Sequence, residues 1–306
     1  MQPCNSRVIN NFCKTLPVLS RVRISVSQFR LLTIVACFFI AAIIVTGASV
    51  RVTGSGLGCP TWPKCTSDSF LPHESSSYHS LVEFGNRLFT GLLSLSVIVC
   101  VGASIFREPK SKKLIILSFS LVAGVIAQII LGGITVLVGL HPLSVASHFL
   151  LSCLILSSSV ILSVVSIRRD TPRLSPLFTF SPQLVTVILT YLVVILGTVV
   201  TAAGPHAGDA EVPRLDTSIE SVARIHSFFA WILLAFVLYL VFALRDRRRS
   251  LIGLLVVILL QGAWGYAQYA LSVPAWMVLV HVFLATLLFI FAHLYWTTSV
   301  MRVDRN

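Results

Sequence analysis

The sequence predicts an all-α membrane protein of eight transmembrane helices, arranged as two four-helix bundles related by a pseudo-two-fold axis along the membrane normal. Three observations predict it: eight apolar runs long enough to cross a bilayer, basic residues gathered in alternate connections, and a recurrence of the first four runs in the last four. Of 306 residues, 56% are hydrophobic and 11% charged, and the mean hydropathy is +0.92. A water-soluble domain of that composition would expose more apolar surface than water tolerates. The bilayer is its solvent.

The runs lie near 29–50, 84–106, 114–138, 143–166, 183–203, 224–244, 250–270 and 275–297, each close to the roughly 20 apolar residues that cross a hydrocarbon core. The net charge of +12 does not point to nucleic acid, because the basic residues form no patch with interleaved aromatics. They sit in clusters between runs, such as Arg107, Lys110, Lys112 and Lys113, or Arg245, Arg247, Arg248 and Arg249. With the N-terminus in the cytoplasm, only Arg51, Lys64, Arg87, Arg214 and Arg224 of the 23 Lys and Arg fall outside. The positive-inside rule therefore places both termini in the cytoplasm of a multi-pass cell-membrane protein. The first run is too long for the apolar core of a cleaved signal, and no small-residue cleavage motif follows it. It reads as the first span, preceded by a flexible tail (1–28) with Cys4 and Cys13.

Self-comparison shows the repeat. At an offset of 150, Gly47 to Gly58 aligns with Gly197 to Gly208; at 140, Val82 to Asn86 aligns with Val222 to His226; at 133, Gln128, Gly132 and His148 align with Gln261, Gly265 and His281. Four spans are an even number, so the halves share one orientation. The expected units are an N-terminal half (29–166), a linker (167–182), a C-terminal half (183–297) and a tail (298–306).

His148, His226 and His281 each lie a few residues inside the outer end of their runs, at one depth. Ionisable groups in apolar spans are costly and are read as functional. A lone histidine there more often bonds a neighbouring helix, but three at one level, two related by the repeat, favour a cofactor. A zinc or copper site needs its ligands in one cluster. One pair per four-helix half instead suits a planar macrocycle, with His226 and His281 as a bis-His haem site. Phe228, Phe229, Trp231 and Phe283 supply packing, and Arg224 is placed to meet a propionate. The N-terminal half departs from this: Asn86 stands where His226 stands in the second. One helix face there carries His79, Glu83, Asn86 and Arg87. Glu83 with Arg87 reads either as a structural ion pair or as an acid or base beside a substrate.

The first outer loop holds Cys59 and Cys65, six apart among prolines. In an oxidising compartment they form a stapled loop or an exchangeable redox pair, and both readings stand at this stage. Cys37, Cys100 and Cys153 read as core residues.

The stretch Arg51-Val-Thr-Gly-Ser-Gly-Leu-Gly-Cys59-Pro-Thr-Trp-Pro-Lys-Cys65, with Glu83-Phe-Gly-Asn-Arg87, His148, Arg224-Ile-His226 and His281, resembles haem A synthase across all eight spans. The resemblance implies an enzyme that oxidises the ring D methyl of haem O to a formyl group, giving haem A for terminal oxidases. It also implies haem b between His226 and His281. Haem O is the implied substrate in the first half, at His148 with Asn86, Arg87 and His79 nearby, and Glu83 is implicated in catalysis. Haem O synthase is the implied partner. The family's commoner pattern has a histidine where this chain has Asn86, so either His148 is the sole protein ligand there or His79, two turns from Asn86, reaches in; the first is favoured, because His79 is expected at or above the membrane surface. A dihaem electron-transfer cytochrome is the alternative, but it would want both ligands in each half and leaves Glu83 without a task. A repeat-built transporter would want helices broken at mid-depth, and no mid-span proline supplies the break.

Overall fold

The computed structural model describes residues 23–73, 77–167, 179–209, 211–244 and 248–303, with side chains to residue 299. The expected tail with Cys4 and Cys13, most of the 167–182 linker, Arg245, Arg247 and the last residues lie outside these.

The described residues form eight helices, each long and apolar enough to cross a membrane: α1 Val26–Val52, α2 Tyr78–Phe106, α3 Lys112–Leu137, α4 Pro142–Val165, α5 Pro182–Ala203, α6 Ile219–Ala243, α7 Arg248–Ala270 and α8 Ala275–Val303. Their starts follow from local chemistry. Ser25 closes a capping box with Gln28, and the side chains of Ser111, Ser181 and Ser218 accept from backbone N–H groups of the first turn, satisfying donors that lipid cannot. Pro142 and Pro182 occupy first-turn positions, where a missing N–H costs nothing. The starts and ends match the apolar runs within three residues, except that α6 begins five residues early, α8 runs on to Val303 through much of the expected 298–306 tail, and α2 starts early. That helix begins at Tyr78, six residues ahead of its run, because its polar first turns bury Ser80 and Glu83 against the preceding loop.

Within each half the packing is the same. Helices α1, α2, α3 and α4 pair in chain order and α1 closes on α4; α5 to α8 repeat this, with α5 closing on α8. Between the halves, α1 packs on α8, α4 on α5, and α4 on α8. These are the pairings that a two-fold relation of α1 to α5 and α4 to α8 generates, consistent with the expected axis. One apolar cluster joins α1 to α4 and reaches Phe289 and Trp296 of α8, and a second lies among α5 to α8. The seam carries polar residues as well. Ser157 of α4 meets the hydroxyl of Tyr191 on α5 at 2.5 Å and Nε2 of His293 on α8 at 2.9 Å, while His293 Nδ1 donates to Phe289 O at 2.7 Å. Outward, large apolar side chains such as Phe38, Ile116 and Phe242 stand about two-thirds exposed, a surface suited to lipid and not to water.

Three loops roof one end of the bundle. Gly56 N of the α1–α2 loop donates to Gly208 O of the α5–α6 loop at 2.9 Å, and Arg51 Nη1 reaches His206 O at 2.8 Å. The buried Leu140, between α3 and α4, packs within 3 Å of where a Cβ would stand on either glycine.

Candidate haem site

Beneath this roof lies a continuous cavity of about 1440 Å³, lined from both halves. Single small-molecule pockets are about 300–1,000 Å³, so this one has room for more than one such ligand. His148, His226 and His281 all line it. They are the seventh, eighth and seventh residues of α4, α6 and α8, which is why they share a depth.

The Cε1 end of each ring abuts a glycine of a neighbouring helix. A Cβ on Gly132 would stand 2.9 Å from Cε1 of His148, on Gly265 3.0 Å from Cε1 of His281, and on Gly197 3.2 Å from Cε1 of His226. Ordinary carbon contacts are about 3.5–4.0 Å, so only glycine admits the imidazoles here. His226 Nδ1 donates to Val193 O at 3.0 Å. That bond fixes the tautomer and leaves Nε2 as the lone-pair atom, the usual arrangement of a metal-ligating histidine. Nδ1 of His148 and of His281 are buried without a partner among the described residues. The repeat extends to the next shell: Gln128 Nε2 donates to His148 O at 2.8 Å and meets Ser152 Oγ at 2.5 Å, while Gln261 Nε2 donates to His281 Nε2 at 3.0 Å. For His281 to hold an iron through Nε2, Gln261 would have to give up that bond.

In the first half, Cys59 and Cys65 are joined by a disulfide, and the closed loop is clamped to α2. Glu83 Oε2 accepts from Cys59 N at 2.6 Å, and Glu83 Oε1 accepts from Arg87 Nη2 at 2.6 Å and Nε at 3.2 Å. Arg87 also donates to the carbonyls of Cys59, Thr61 and Lys64 at 3.0–3.2 Å. Backbone presses on backbone at Gly58, where a Cβ would stand 2.3 Å from His79 O. Both cysteines are buried, at 0% and 1% exposure, which keeps solution thiols away from the bond and favours the staple over the exchangeable pair.

The profile of the cytochrome oxidase assembly protein family matches residues 30–293. The chain belongs to that family. Among its curated relatives, the haem A synthase of Bacillus licheniformis is 26% identical over 284 residues, 85% of this chain and 91% of that one. That of Listeria monocytogenes serotype 4a is 28% identical over 270 residues, 81% and 87% of the two chains. The haem A synthase of Bacillus pumilus is 32% identical over 158 residues, 48% of this chain; the aligned part spans 49% of that protein, about half its length.

For a family whose relatives are named for haem A, the cavity suits a porphyrin: paired imidazoles on glycine floors, a free lone pair on His226, and mostly apolar walls. His226 and His281 would hold one haem, and His148 another. Of the residues singled out from sequence, Glu83, Asn86, Arg87, His148, Arg224, His226 and His281 all line the cavity. Arg224 stands at its edge, 79% exposed and 3.5 Å from Glu220. His79 does not join them; it is exposed and bonds Ser55 Oγ at 2.9 Å. Phe228 and Trp231 line the cavity, whereas Phe229 and Phe283 do not. Sequence reasoning missed Arg51 and Trp62 in the lining. It matched Gln128 and Gln261 in the repeat without giving them a task, and it passed over His293, which an ionisable residue inside an apolar run should have flagged.

Proposed function

We propose that the chain is a haem A synthase, an oxidoreductase that converts the ring D methyl of haem O to a formyl group by successive oxidations, with water as the oxygen source. One observation carries the reading: the halves repeat, yet they are unequal at the same place. The second half keeps a full histidine pair. The first keeps His148, replaces the other histidine with Asn86 and brings Glu83 and Arg87 to the cavity wall. A fixed cofactor wants the first arrangement, and a substrate that must be turned over wants the second.

Haem b bound between His226 and His281 supplies one-electron relay chemistry. The chain's own residues do the positioning. His148 anchors haem O, the apolar walls take its hydrophobic tail, and Arg224 at the rim meets a propionate. Glu83 is the proton acceptor: Arg87 occupies Oε1, and Oε2 accepts a single bond from Cys59 N, so Oε2 keeps a lone pair free. The Cys59–Cys65 loop lies on the extracytoplasmic face with both termini in the cytoplasm, as the basic residues direct. Residues 29–166 form the substrate half and 183–297 the haem b half, with haem O synthase supplying the substrate.

The test is pyridine haemochrome analysis of the purified chain, expressed with and without a haem O synthase. Haem A that appears only when both are present supports the reading. Haem b alone under both conditions overturns it in favour of an electron-transfer cytochrome.

A further inference from the structure

Asn86 holds the place that the repeat gives to His226, and its surroundings differ in a directed way. In the second half, the His226 ring fills the space over Gly197; in the first, a Cβ on the equivalent Gly47 would meet nothing within 4 Å. The Asn86 side chain is instead drawn to α1, where Thr46 Oγ1 donates to its Oδ1 at 2.8 Å. The other acceptor near that hydroxyl, Ile43 O, is farther at 3.4 Å. Oδ1, the atom through which a neutral carboxamide would ligate iron, is turned by that bond towards Thr46 on α1. Nδ2 has no acceptor among the described residues, and Asn86 lines the cavity.

We infer that Asn86 is a hydrogen-bond donor in the substrate half and not an iron ligand. A haem held by His148 then keeps its second axial position open to a small exogenous molecule, to which Nδ2 donates. Thr46 is the positioning residue that sets the direction of the amide. The inference rests on the reading that His148 anchors a haem, and it adds what becomes of the coordination position opposite.

The test uses the purified full-length chain co-expressed with haem O synthase, titrated with sodium azide and followed by electron paramagnetic resonance and visible absorption. A bis-His haem is saturated, so about half of the haem should be high-spin and azide-responsive. Asn86→His should convert that fraction to low-spin and weaken azide binding at least tenfold. Asn86→Ala should leave it high-spin and weaken azide about five- to tenfold, the loss of one hydrogen bond. Thr46→Val, which leaves Asn86 in place but frees Oδ1, should weaken azide in the same direction. A wild-type spectrum that is wholly low-spin and indifferent to azide overturns the inference and leaves the haem site standing. Unchanged azide affinity in Asn86→Ala overturns the donor role. Persistence of the azide-responsive haem in His148→Ala overturns the underlying site and the inference with it.

Discussion

Replacing Gly265 with alanine should cost haem binding without costing the fold. The new Cβ would stand 3.0 Å from Cε1 and 3.5 Å from Nδ1 of His281. Carbon contacts settle at about 3.5–4.0 Å, so the ring must retreat by roughly 0.5–1 Å. Helix α7 itself gains about 1 kcal/mol from the exchange, since alanine is the better helix former. A ligand site tolerates displacements of only about 0.5 Å, and disturbing the support of a metal ligand typically lowers affinity about 10- to 100-fold, or about 1.4–2.8 kcal/mol. The assay is haem titration of the purified variant, reading the low-spin absorption, with far-ultraviolet dichroism to show that helicity is kept. Gly102→Ala is the control: Gly102 is also helical, and its Cβ would meet nothing within 4 Å. Low-spin haem affinity within about twofold of wild type in Gly265→Ala would refute the claim that the glycine floors seat ligating imidazoles.

Glu83→Ala should abolish haem A formation while the low-spin spectrum of the His226–His281 site persists, read by haemochrome analysis and absorption on one sample. Arg87→Lys should loosen the cysteine loop by about 2 kcal/mol, because an ammonium cannot reproduce the fork that spans Glu83 and three carbonyls; hydrogen exchange over residues 56–72 reads the change, and protection equal to wild type contradicts it. Replacing both Cys59 and Cys65 with serine removes the closure of a loop of separation six, worth about 2 kcal/mol, and should raise exchange over the same segment even with Arg87 intact. His293→Leu deletes a bond to Ser157 across the seam and should lower the thermal midpoint in detergent by a few degrees, consistent with a loss of about 1 kcal/mol.

The eight spans were legible because bilayer thickness sets their length and the connections carry the charge. The start of α2 was not: its first turns are stabilised by contacts with the loop before them, and apolar run-length is blind to those. His148, His226 and His281 could be found because a repeat turns scattered histidines into a pattern. His293 has no mate, since its equivalent at an offset of 133 is Val160. The Glu83–Arg87 pair was visible as helical spacing, but its engagement with the Cys59 N–H and three loop carbonyls was not. Backbone groups carry no residue-type signal, so a clamp built on them leaves little trace in the letters.

The seam between the halves has one more consequence. A contact made of α1 and α4 against their own counterparts is self-complementary, the kind that two identical chains form when they associate as a dimer. The packing between the halves is thus the packing that two copies of one four-helix unit would use, so tethering them in one chain demands no new contact. A shared chain does not require the two units to be alike. The second half carries His226 where the first carries Asn86, and the first carries the loop stapled by Cys59 and Cys65.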